Sequence, residues 1–150
     1  MEHSEEVVEF WCGWCERIYR FILIRWRICY EYTEQLEEKD RESFRVFMQA
    51  LKGLDDAQRQ LLVKVYFQDV TIRVVKQIQR RKYSLLTRNP MYCYTQDVRL
   101  RTLMASELGI TKAQLNKRLS EAKQAHSRLF VDEMLSSGVF ERYYSNKYLE

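Results

Sequence analysis

Four glycines and a single proline, Pro90, are spread over 150 residues. So few chain-breakers exclude folds that reverse direction every few residues. Sandwiches and barrels need Gly and Pro at their many turns, whereas helix interiors are damaged by both. The chain therefore reads as all-α. Apolar residues make up 46% of it and aromatic residues 13%, which is enough to bury a core and excludes bulk disorder. The length suits one compact domain, or a domain with an arm.

Apolar periodicity places the helices. Val7, Trp11, Trp14, Ile18, Phe21, Ile22, Ile28 and Cys29 recur mostly at intervals of three and four. That spacing predicts one long amphipathic helix over 5–31, with room to run on through Tyr32 and Leu36. The charged run Glu37-Glu38-Lys39-Asp40 breaks or exposes the chain, and Asp40 is placed to cap a second helix. Its apolar face is Phe44, Phe47, Met48 and Leu51, with Gly53 at its stop. Asp55 or Asp56 caps a third, striped by Leu61, Leu62, Val65 and Tyr66. Val70, Ile72, Val74 and Val75 are β-branched, but Ile78, Arg81 and Lys82 keep a helical register, which predicts helix to about Lys82. Arg88-Asn89-Pro90 is a turn. Its flanks, Tyr83 to Thr87 and Met91 to Thr95, either pair as a short hairpin or form a loop. Val98, Leu100, Leu103, Met104 and Leu108 mark a helix ending at Gly109. A last long helix follows from Thr111 to near Ser136 and Gly138, on Leu115, Leu119, Ala122 and Leu129. Tyr143, Tyr144 and Tyr148 lie in a tail that packs back or stays loose. This divides the chain into an aromatic-rich helical scaffold (1–53), a helix-turn-helix region with an insertion at 68–97 (54–136), and a tail (137–150).

The net charge of +4 conceals an asymmetry. Residues 1–69 hold 10 basic and 14 acidic side chains, residues 70–128 hold 13 and 3, and residues 129–150 hold 2 and 4. A basic block between acidic ends attracts a polyanion, and phosphate neutralisation supplies most of the affinity for DNA. A basic but merely solvated surface is the alternative that charge alone leaves open.

The segment Leu103 to Ala122 favours DNA binding over that alternative and over an ordinary helical hairpin with a glycine turn. A helix-turn-helix needs a small residue where the first helix nears the second, and Ala105 fits. It needs a residue tolerant of left-handed backbone in the turn, and Gly109 fits. It needs an apolar anchor in the second helix, and Leu115 fits. Met104, Leu108 and Ile110 would fill the space between. Thr111-Lys112-Ala113-Gln114 matches a capping box. With those positions inside, Thr111, Lys112, Ala113, Gln114, Asn116, Lys117 and Ser120 face outward, the surface a recognition helix presents to the major groove. Asn116 suits adenine edges, Lys112 and Lys117 suit phosphate or guanine, and Gln114 suits backbone or base. Arg118 and Lys123 suit phosphates, and Arg73, Arg80, Arg81, Lys82, Arg99 and Arg101 extend the basic footprint.

Gly109-Ile110-Thr111 followed by Leu115, Arg118-Leu119 and Ala122 resembles the promoter-reading helix in region four of bacterial sigma factors. Leu54-Asp55-Asp56-Ala57 with Leu61-Leu62 and Tyr66-Phe67 resembles the helix that opens that region. The likeness covers two separate pieces, under half of the chain, and residues 68–97 stand where sigma factors have a short link. Small phage regulators of late transcription, among them the Q antiterminators and the RinA and ArpU types, share this pattern. Leu61-Leu62-Val63, Lys117-Arg118-Leu119, Trp11 and Trp14 are similar to Q antiterminators. The resemblance implies a protein that binds a promoter-proximal site in duplex DNA and engages RNA polymerase or a sigma factor. A protein-interaction module that binds polymerase without specific DNA contact is the rival reading.

Other motifs carry less. Trp11-Cys12-Gly13-Trp14-Cys15 looks like a thioredoxin active site, but no strand precedes it and no βαβ pattern follows, so helix packing is expected. Cys12 and Cys15 have zinc spacing, but Cys29, Cys93, His3 and His126 form no second pair. His126 is expected at the surface or on a phosphate. No phosphate loop, nucleophile elbow or carboxylate pair is present. The expectation is binding rather than catalysis, with no cofactor and no metal. The aromatic stripe over 10–32 is read as core or as a homodimer interface. The acidic opening residues do not form a secretory leader, and Phe21 to Tyr30 is too short and too charged to span a membrane. A cytoplasmic protein with reduced thiols follows.

Overall fold

A computed structural model describes residues 4–74, 91 and 94–145. The fold is mainly α, with one small antiparallel pair of strands. Helix α1 spans Glu5–Leu23 and α2 spans Trp26–Glu31. Helices α3 (Glu38–Leu51) and α4 (Asp56–Val63) follow, the latter widening into a π-helical turn at Lys64–Gln68. Strand β1 (Val70–Val74) pairs with β2 (Tyr94–Val98), and then come α5 (Arg101–Leu108) and α6 (Lys112–Ser136). No helix among the described residues is long and apolar enough to cross a membrane.

The core forms because α6 supplies a continuous apolar stripe, Leu115, Leu119, Ala122, Phe130 and Met134, onto which α1, α3, α4 and α5 pack. Trp26, Phe47, Phe130 and Phe140 are fully buried in it, and each buried aromatic of this size contributes about 1.5–3 kcal/mol. The stripe of α1 faces this core, burying Trp11, Cys15 and Tyr19 within the one chain. The tail returns as well: Gly138 takes φ +80°, Phe140 packs on Trp11 at 5.4 Å, and the Tyr144 hydroxyl meets Ser43 Oγ at 2.9 Å.

Four expectations are corrected. The helix over 5–31 is interrupted at Ile24 and Arg25. There the Arg25 side chain folds back, donating to the carbonyls of Met91 and Phe21 and stacking over the Phe21 ring. Helix α3 starts after Glu37 rather than at Asp40, which is buried inside its first turn. Val70–Val74 is a strand, not helix: β-branched side chains lose rotamer freedom in a helix and fit a pleated surface, and a partner strand exists. That partner includes Tyr94 and Thr95, which pair with Val74 and Arg73. The rest of the expected helix to Lys82, and the hairpin flank 83–87, lie outside the described residues. Finally, α5 begins at Arg101, and Val98 ends β2.

Candidate nucleic-acid interface

The turn between α5 and α6 is closed by backbone geometry that its sequence dictates. Gly109 sits at φ +71°, and the amide of Ile110 reaches the Ala105 carbonyl at 3.0 Å, which ends α5 in a left-handed cap. A Cβ at Gly109 would meet nothing within 4 Å. Gly109→Ala is therefore expected to cost about 1 kcal/mol from backbone strain alone, measured as a shift in urea midpoint. A loss several times larger would place a packing contact there.

Helix α6 then starts with a complete capping box. Thr111 Oγ1 accepts from the Gln114 amide (3.1 Å), and Gln114 Oε1 accepts from the Thr111 amide (2.9 Å). Leu115 and Leu119 are fully buried, which orients the helix. Thr111, Lys112, Ala113, Gln114, Asn116, Lys117, Arg118 and Ser120 are all exposed around them. Among the described residues Lys112, Lys117 and Arg118 have no carboxylate partner, so their charge projects into solvent. Lys123 is half-buried, its Nζ 5.9 Å above the Tyr66 ring.

The two arginines ahead of the turn behave differently. Arg101 reaches across to α6 and donates to Asn116 Oδ1 (2.9 Å) and to the Tyr66 hydroxyl (3.3 Å). Tyr66 is itself held, because Gln96 Nε2 donates to its carbonyl at 2.8 Å while Gln96 Oε1 accepts from the Arg27 amide. Arg99 forks onto Glu107 and also meets Asp69, which in turn pairs with Lys64. Hydrogen bonding to Lys64 holds the Asp69 carboxyl below its usual range, and bonding to Arg99 does the same for Glu107. Arg99 thus braces α5 against the π-turn. Arg73 is likewise forked onto Asp97 across the strands. Arg80, Arg81 and Lys82 lie outside the described residues.

Two further expectations are corrected. Leu108 does not fill the space inside the turn; it is 41% exposed, and Met104 and Ala105 take the inner positions. His126 is not at the surface. It is fully buried where α1, α3 and α6 meet, its Nε2–H donating to the Phe47 carbonyl (3.0 Å). A carbonyl only accepts, so Nδ1 bears no proton and accepts a hydrogen bond from the Tyr19 hydroxyl at 2.9 Å. The signal for this was its register: His126 falls four residues after Ala122 and four before Phe130, on the apolar stripe. Desolvation pulls the imidazole down to about 4, only partly offset by the Phe47 bond.

The cysteines on α1 lack redox electrostatics. Burial, then the Cys12 and Glu16 charges, push Cys15 up to about 12, and burial also raises Cys12. A redox dithiol needs the opposite shift. Among the described residues no cluster of His, Cys, Asp or Glu is placed to hold a metal ion.

No family model, curated protein or solved structure matches this chain.

Proposed function

We propose that this chain is a DNA-binding transcription regulator whose α6 enters the major groove with its N-terminal turns. The observation that carries this reading is one surface. From Thr111 to Ser120 every residue is exposed except Leu115 and Leu119, and three of the exposed ones are cations without carboxylate partners among the described residues. Helix docking in a groove needs exactly such a division between an anchored inner edge and a basic, hydrogen-bonding outer one. Likeness to sigma region four and to small phage late-transcription regulators supports action beside RNA polymerase at a promoter-proximal site, in the cytoplasm of a bacterial host. The contribution is binding: phosphate contacts set register, and a few side chains read bases.

The test is affinity for duplexes enriched from a random pool, competed against bulk DNA across a salt titration. Lys117→Ala is expected to weaken binding and reduce the salt slope by about one unit. Identical affinity and slope in variant and parent would remove Lys117 from the interface, and absence of any duplex binding would end the reading.

One observation favours a second reading. Leu100 and Leu103 are 69% and 53% exposed at the start of α5, an apolar rim suited to a protein partner such as polymerase. On that reading Leu103→Asp abolishes capture of purified RNA polymerase while duplex affinity is unchanged.

A further inference from the structure

Over its first turns, Thr111 to Lys117, the outer face of α6 presents mainly donors. Each side-chain oxygen there already accepts from a group that only donates, so its orientation is fixed. Asn116 Oδ1 accepts a hydrogen bond from the Arg101 guanidinium at 2.9 Å. Gln114 Oε1 takes the Thr111 amide proton at 2.9 Å, and Thr111 Oγ1 takes that of Gln114 at 3.1 Å. What remains for a ligand is the amide NH2 of Asn116, the amide NH2 of Gln114 and the Thr111 O–H, flanked by Lys112 and Lys117, which only donate.

The adenine edge in the major groove shows one acceptor and one donor, and cytosine shows a donor. Guanine shows two acceptors, N7 and O6. The bidentate adenine contact expected of Asn116 needs its oxygen, and Arg101 holds that oxygen. Resting on the DNA-binding reading above, we infer that this face selects guanine over adenine, and that Arg101 sets the choice by fixing the Asn116 amide. Arg101 is here a positioning residue. It is fixed in its turn by Tyr66, and hence by Gln96 of β2.

The experiment is enrichment of random duplexes by the full chain, by Arg101→Met and by Asn116→Asp, followed by sequencing. The parent is expected to enrich guanine over adenine about tenfold at the contacted positions. Arg101→Met frees the amide to rotate and brings that ratio close to one while duplexes are still bound. Asn116→Asp puts an acceptor on an exposed position, where folding is not at stake, and moves the preference from guanine to cytosine. In the parent's best duplex, 7-deazaguanine at the preferred positions lowers affinity about tenfold, while inosine, which keeps N7 and O6, leaves it unchanged. Adenine enriched by the parent overturns the inference and leaves DNA binding standing. A guanine preference untouched in Arg101→Met overturns the role of Arg101. No enrichment of any duplex overturns both this inference and the reading beneath it.

Discussion

Between pH 6.5 and pH 4 the protein is expected to lose about 3 kcal/mol of folding stability through one side chain, His126. The unfolded imidazole titrates near 6.5 and the folded one near 4. The fold therefore binds the neutral form and resists the charged one. Stability from this site is complete above pH 6.5, falls as pH drops through the window, and levels off below pH 4. The cause is burial: the charged ring would lose its hydration in a site closed to solvent, and the bond to the Phe47 carbonyl offsets only part of that cost. Asp69 and Glu107, whose carboxyls are held low, begin to lose their contribution near the acid end of this window and lose the rest below it. Urea unfolding at a series of pH values measures the slope. His126→Gln is expected to be less stable at neutral pH but nearly flat from 6.5 to 4. An unchanged slope in that variant would mean that another group titrates there.

Replacing Lys112, Lys117 and Arg118 together by alanine is expected to reduce duplex affinity about a hundredfold at physiological salt and the salt slope by nearly three units, if each neutralises one phosphate. All three are exposed and none has a carboxylate partner among the described residues, so the unfolding midpoint should stay within the range of ordinary surface substitutions. Fluorescence anisotropy on one duplex at several salt concentrations gives both quantities. Loss of affinity with an unchanged slope would mean that the cations act through base contacts rather than phosphates.

The parts of the fold and of the candidate site that could be read from the sequence are those fixed by neighbours along the chain. Gly109, the Thr111–Gln114 box and the Leu115/Leu119 register are local, and they orient the outer face of α6 as their spacing requires. What could not be read depends on partners remote in sequence. Val70–Val74 becomes a strand because Tyr94–Val98 is there to pair with it. Helix α1 breaks because Arg25 finds the carbonyl of Met91. Arg99 and Arg73 are engaged by Glu107, Asp69 and Asp97, pairings that the sequence spacing does not announce. The bond from Arg101 to the Asn116 oxygen likewise joins residues 15 apart in the chain. His126 shows a different failure. Its spacing placed it on the apolar stripe, but its polarity was read as a reason for exposure, when two buried partners satisfy both ring nitrogens.

Helix α6 runs unbroken from Lys112 to Ser136, a rod about 37 Å long. Its first turns expose one face while Leu115 and Leu119 on the other are buried in the same core that holds Phe130 and Met134. A load placed on one end of such a rod is felt at the other, because no hinge lies between them. Occupancy of the outer end by a ligand should therefore register as raised melting temperature of the entire protein, increasing with ligand concentration as mass action requires.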